Sequence, residues 1–195
     1  FGLLNMVDKY DKIEQEYYNN SLEENERRAF ELSQIRGINT NRPDILPYKH
    51  LVTLSQSKTN VDEVISALKR TGEVSDINKE KLESRLNCIK QWIKNHAPES
   101  VIFEIQEKKP EIKMDENKKK CINLLNKKFQ NINWTPEEIH NAFYDLQENS
   151  GIPAKDFFRI IYNILLNKEK GPRLGFFLAT LDKNFVIKRL ESYQN

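Results

Sequence analysis

The sequence predicts an all-α protein: a helical bundle in the N-terminal part, followed by a run of tightly spaced helices. Three observations carry this. Apolar residues recur at helical spacing along most of the chain. Capping residues and Gly/Pro breakers bracket those stretches. Only 6 Gly and 7 Pro occur in 195 residues, too few for the turn-rich sequence of a β-sandwich.

The elements follow in order. Met6, Tyr10, Ile13 and Tyr17 form one apolar stripe of a first helix. Ser21-Leu-Glu-Glu24 has the capping-box form and starts a second, running through Phe30 and Leu32. Asn39 to Pro47 reads as a polar, proline-containing loop, and Tyr48 to Gln56 as a short apolar helix. Asn60 caps a helix bearing Val61, Val64, Ile65 and Leu68, which stops near Gly72. Leu82, Leu86, Ile89, Ile93 and Ala97 mark a long helix ending before Pro98.

Residues 106–116 are charged and contain one Pro. They read as a connector, with a surface loop inside one domain as the alternative. The division is then 1–105, 106–116 and 117–195. Beyond the connector, Cys121, Leu124 and Leu125 lie on one helix. Thr135-Pro-Glu-Glu138 starts the next, with Thr as cap and Pro at the first helical position. Trp134, just before that cap, is expected to staple onto Ile139 or Phe143. Gly151-Ile-Pro153 breaks the chain. Phe157 to Leu166 is apolar nearly all round and should be a buried central helix. Gly171-Pro172 opens a helix with Leu174, Phe177, Leu178 and Leu181 inward, and Asp182 caps the last.

Composition excludes several classes. The chain is 38% hydrophobic and 31% charged, and no apolar run is long enough to span a bilayer. Cys88 and Cys121 form no Cys-x-x-Cys pair, and both read as buried reduced thiols, which suits a cytoplasmic protein. The first residues, Phe1-Gly-Leu-Leu, lack an initiator Met, as in a piece cut from a longer chain. His50, His96 and His140 have no ligand or catalytic partner at helical spacing, and no Gly-rich phosphate loop or nucleophile elbow occurs. No metal, cofactor or catalytic residue is therefore expected within these residues.

The formal net charge is only +2, so distribution decides. Between 151 and 195, Lys155, Arg159, Lys168, Lys170, Arg173, Lys183, Lys188 and Arg189 face only Asp156, Glu169, Asp182 and Glu191. Within this basic end a greasy helix meets a Gly-Pro turn at another helix start. Gly171 allows close approach to the main chain, and helix-start N–H groups are free to donate. Lys168, Lys170 and Arg173 supply charge and donors for phosphate or a base edge. Arg159 is either a further contact or the partner of Asp156 at i−3. Phe176 lies on a different face from Phe177 and could stack a splayed base, worth about 1–3 kcal/mol.

Phe157-Phe-Arg-Ile-Ile-Tyr162, Lys170-Gly-Pro-Arg-Leu-Gly-Phe-Phe-Leu-Ala-Thr-Leu-Asp182 and Phe185-Val-Ile-Lys-Arg-Leu190 resemble the C-terminal end of class I lysyl-tRNA synthetases. Val7-Asp-Lys-Tyr-Asp11, Arg28-Ala-Phe-Glu-Leu-Ser33 and Tyr48-Lys-His-Leu-Val52 continue the resemblance, which is looser between Ser57 and Asn149. It implies an α-helix-cage anticodon-binding domain over 117–195, preceded by helices that contact or space the tRNA. The implied partner is lysine tRNA, through anticodon loop and stem, with neither DNA nor membrane. It further implies that lysine attachment and its ATP belong to a catalytic domain whose His-Ile-Gly-His-like and Lys-Met-Ser-Lys-Ser-like signatures do not occur here. By order and spacing, Tyr162 takes the place of an anticodon-contacting Arg of glutamyl-tRNA synthetases. Gly171, Pro172, Arg173 and Leu174 take that of their contact loop. Two alternatives stay open: the anticodon-binding end of a glutamyl-tRNA synthetase, and a helical protein–protein interaction module.

Overall fold

The computed structural model describes residues 2–35, 37–38, 48–72 and 77–194. Among these there are ten α-helices and no strand. They are α1 Gly2–Tyr18, α2 Glu24–Ser33, α3 Tyr48–Ser57, α4 Val61–Arg70, α5 Lys79–His96, α6 Glu116–Gln130, α7 Pro136–Ser150, α8 Ala154–Leu166, α9 Leu174–Thr180 and α10 Lys183–Glu191. The loop expected over 39–47 lies outside the described residues.

Three of the starts are set by the predicted side chains. Asn60 accepts from Glu63 N, Thr135 from Glu138 N and Asp182 from Phe185 N, each satisfying an orphan helix donor. The Ser21 cap is a correction. Helix α2 begins after Glu23, which makes no side-chain cap, and the Ser21 hydroxyl turns back to donate to Glu16 O of α1. The stripe on α1 faces largely outward. Met6 is 63% exposed, and the buried residues of α1 are Leu4 and Asp11. Tyr10 and Tyr17 pack sideways on Phe30 of α2, ring centroids 5.9 and 4.7 Å away. Asp11 is buried because Nη2 of Arg85, on α5, donates to both its carboxylate oxygens at 2.6–2.7 Å, a charge-assisted contact that ties α1 to α5.

Two hydrophobic clusters form. One draws on α1, α3, α4 and α5, with Leu51, Leu54, Leu68, Leu82 and Ile89 fully buried. The other draws on α6 to α10 around α8, where Phe157, Ile160, Ile161, Ile164, Leu165 and Leu166 are buried as their all-round apolar pattern requires. Phe176 of α9 crosses between them: it belongs to the first cluster, while its neighbour Phe177 belongs to the second.

The charged segment around 106–112 is fastened to the second cluster. Arg189, only 8% exposed, donates to Gln106 O and Glu107 O (both 2.8 Å), Ile164 O (3.1 Å) and Lys108 O (3.3 Å). Its planar fork meets four carbonyls that no hydrophobic residue could satisfy. Tyr193 adds a hydrogen bond from its hydroxyl to Pro110 O, 2.5 Å. Trp134 packs against the second cluster, to which Ile139 and Phe143 belong. Its ring meets Phe129 edge-on at 5.3 Å, and its indole N–H donates to Leu178 O and Leu181 O, capping the end of α9. Lys58 and Arg70, from α3–α4, both donate to Thr180 O at that same end. Cys121 is buried as expected, whereas Cys88 is exposed on the outer face of α5.

Candidate nucleic-acid interface

Helix α8 ends at Asn167, whose left-handed backbone (φ 53°) reverses the chain into the turn 168–173. Two contacts hold the turn against α8. The Tyr162 hydroxyl donates to Pro172 O at 2.6 Å. Gly171 lies flat on the Tyr162 ring and Leu166, so close that a Cβ there would sit 2.8 Å from both. Tyr162 is mostly buried, and burial pushes its hydroxyl up to about 12, so it stays a neutral donor. Gly175 performs a similar role at the second residue of α9: a Cβ there would approach Pro136 O to 2.6 Å, so its absence lets α9 lie directly on the start of α7.

The result is a presented turn. Gly171 and Arg173 are exposed, Pro172 is half-buried, and Leu174 is buried at 7% as the first residue of α9. The Arg173 guanidinium makes no hydrogen bond or ion pair among the described residues. It stands on the lip of a cleft of about 490 Å³ between α7, α8 and α9. The cleft is walled by rings: His140 and Tyr144 of α7, Phe158 and Tyr162 of α8, and the stacked pair His50–Phe176. His140 and Tyr144 lie 5.0 Å apart and both are exposed, Tyr144 by 43%.

The expected site residues thus divide. Tyr162, Gly171, Pro172, Arg173 and Leu174 come together at one place. Lys170 is exposed beside them, and its ammonium has no partner among the described residues. Arg159 stands exposed on α8 and forms no ion pair with Asp156. The Lys168 ammonium donates to Ile102 O (2.5 Å) and Glu99 O (3.2 Å), pinning the turn to the segment after α5; contact with phosphate would require leaving those carbonyls. Phe176 is 5% exposed, its face covered by His50 at 3.7 Å in a near-parallel stack, so a base would have to displace that imidazole. The basic surplus of the C-terminal end is partly internal: Arg189 is buried, and Lys183 donates to Gln130 O and Ile132 O.

His140, Tyr144 and His50 of the cleft were missed from sequence. His140 and Tyr144 are i and i+4 on the outward face of α7, and an exposed aromatic pair there was a usable signal. His50 gave no signal, since only tertiary packing brings α3 against α9.

An all-α domain that presents a basic Gly-Pro turn beside an aromatic cleft has the elements used to hold splayed single-stranded RNA. Residues 93–194, just over half the chain, match the family model for the anticodon binding domain, and the chain belongs to that family. Along nearly its whole length it is also similar to proteins named lysine--tRNA ligase. It is 32% identical over 193 residues to that of Picrophilus torridus, covering 98% of this chain and 38% of the relative. Against that of Pyrococcus horikoshii it is 34% identical over 203 residues, covering 97% and 38%. Against that of Thermococcus kodakarensis it is 33% identical over 205 residues, again covering 97% and 38%. The chain therefore spans a little over a third of the length of these relatives.

Proposed function

We propose that this chain reads the anticodon of a lysine tRNA, as the anticodon-binding part of a lysine--tRNA ligase. The observation that carries the reading is Arg173: a guanidinium with no partner among the described residues, raised by a fixed turn onto the lip of a ring-walled cleft. Lysine anticodons are rich in uridine. Uracil offers two carbonyl acceptors and one N–H, and the guanidinium offers five donors in a rigid fork. The exposed rings of His140 and Tyr144 provide faces for stacking, which tolerates any base, so Arg173 would supply the discrimination. Lys170 would hold phosphate and add salt-sensitive, sequence-independent affinity.

In this reading lysine activation, with ATP as cosubstrate, belongs to the part of such a ligase that these residues do not span, and the site of action is the cytoplasm. Among the described residues no helix is long and apolar enough to cross a membrane, and no cluster of His, Cys, Asp and Glu could hold a metal.

Photo-crosslinking tests the location. A lysine-tRNA hairpin with 4-thiouridine in its anticodon is irradiated with the chain. Crosslinked peptides should contain 140–144 or 162–174. Crosslinks confined to other surfaces contradict the reading.

One observation favours a second contact type. Leu3, Met6, Tyr10 and Ile13 form an exposed stripe on α1, suited to protein docking. Such docking would be insensitive to salt, whereas the RNA contact would weaken as salt rises.

A further inference from the structure

The ring-walled cleft has a neighbour. A second cleft, of about 360 Å³, shares both His50 and Arg173 with it. Its floor and walls are mainly Leu4, Val52, Val101 and Pro172, with Asn5 and Ser100 at the rim. It thus draws on α1, on α3, on the segment after α5 and on the Gly171–Arg173 turn. Helices α1 and α3 lie outside residues 93–194, the span that matches the anticodon-binding family.

We propose that this second cleft takes an unpaired nucleoside of the same RNA strand, the one adjacent to the nucleoside held beside Arg173 in the first. The proposal rests on the reading of the first cleft as an RNA-loop site. Three features argue for this occupant. The first is continuity: with Arg173 common to both clefts, a strand held in one passes directly into the other. The second is charge. No carboxylate lines the second cleft, while Lys49 and Arg173 do, so a polyanion meets no repulsion from its walls. The Lys49 ammonium is paired with Asp8, which leaves Arg173 as the unpaired cation.

The third feature is the placement of polarity. Two polar side chains inside the cleft, Gln56 and Thr53, are already engaged. Gln56 donates to Val52 O and Val101 O and accepts from Phe103 N, and Thr53 donates to Lys49 O. The side chains of Asn5 and Ser100 are exposed and have no hydrogen-bond partner among the described residues. The cleft therefore offers apolar walls to a base face, with an amide and a hydroxyl at the rim for its edge. Its volume lies in the range of about 300–1,000 Å³ that small ligands occupy.

The test uses the whole chain and a set of lysine-anticodon hairpins, each lacking one base of the loop. For the unaltered chain, loss of the base at either of two adjacent positions should weaken binding on the order of tenfold. Ser100→Trp, a substitution at an exposed rim position, fills the second cleft. It should weaken the intact hairpin by a similar factor and abolish the penalty at one of the two positions, leaving the other intact. Tyr144→Ala, in the first cleft, should do the converse. Asn5→Ala, which removes a rim amide without adding bulk, should show the same positional selectivity as Ser100→Trp with a smaller loss. If the intact hairpin binds but Ser100→Trp and Asn5→Ala bind every hairpin as the unaltered chain does, the second cleft is not a nucleoside site. If those variants remove the penalties at both positions together, the two-cleft arrangement is wrong. If the unaltered chain binds no hairpin, the first-cleft reading fails and this inference falls with it.

Discussion

The Tyr162 hydroxyl donates to the carbonyl of Pro172, ten residues further on, at 2.6 Å, and so fastens the exposed turn to α8, the helix around which the second cluster packs. Removing that hydroxyl leaves the packing of the ring intact and deprives one carbonyl of its donor. Tyr162→Phe should therefore destabilise the fold by about 0.5–1.5 kcal/mol in urea unfolding. It should also weaken hairpin binding, because Arg173 follows Pro172 directly. Unchanged stability would mean that the bond contributes nothing to holding the turn.

The same contact gives a pH dependence. The Tyr162 hydroxyl is raised by burial from 10 to about 12. Between those values the unfolded chain releases this proton and the folded chain retains it. The contribution is thus fully present below pH 10 and is lost as pH rises to about 12. Stability of the unaltered chain should fall more steeply over that window than stability of Tyr162→Phe, measured by urea titration at stepped pH. Parallel slopes would contradict the assignment.

The glycines differ in what a methyl group would meet. At Gly171 it meets the Leu166 and Tyr162 side chains at 2.8 Å, which can shift. At Gly175 it meets the backbone oxygen of Pro136 at 2.6 Å, which cannot move without displacing α7. Both Gly171→Ala and Gly175→Ala should destabilise by about 1–3 kcal/mol, with Gly175→Ala at the upper end or beyond. Thermal unfolding of the pair checks the order, and a reversed order contradicts this packing.

Arg189 should be among the costliest single positions. Arg189→Leu leaves four carbonyls without their donor, at about 1–3 kcal/mol for each one left dry. Arg189→Lys should recover little, since one ammonium cannot span the fork. Denaturant midpoints of the two variants test this; wild-type stability for Arg189→Lys would show that the fork geometry is dispensable.

Thiol labelling separates the cysteines. Burial pushes the Cys121 thiol up to about 11, so it is both covered and protonated near neutrality. At pH 8 a maleimide should modify Cys88 and leave Cys121 untouched until the protein unfolds. Rapid labelling of both would contradict the buried position of Cys121.

Local signals in the sequence located most helices, because caps at Asn60, Thr135 and Asp182 act within four residues. The buried helix α8 was legible for a similar reason: its apolar residues leave only a narrow wet face at Lys155 and Arg159. Failures came where a partner distant in the chain decides. On α1 the apolar Met6 and Ile13 are exposed while the acidic Asp11 is buried, because Arg85 lies 74 positions away and compensates its charge. Lys168 reads as a phosphate contact and Arg189 counts toward the basic surplus of the C-terminal end, yet both turn onto carbonyls of the 99–108 segment. Their role depends on how that segment folds back, which no spacing rule encodes. The turn 171–174 was legible as a unit, whereas the cleft beside it required α3 and α7 to be placed.

The central claim is that Arg173 reads a base. The most direct test compares the affinity of the unaltered chain and of Arg173→Ala for two hairpins, one with the lysine anticodon and one with the uridines replaced. The unaltered chain should prefer the lysine hairpin, and Arg173→Ala should lose about 1–3 kcal/mol of binding to it while keeping its fold and its weaker affinity for the other. Equal affinity of the unaltered chain for both hairpins, or a preference that survives Arg173→Ala, would contradict the account.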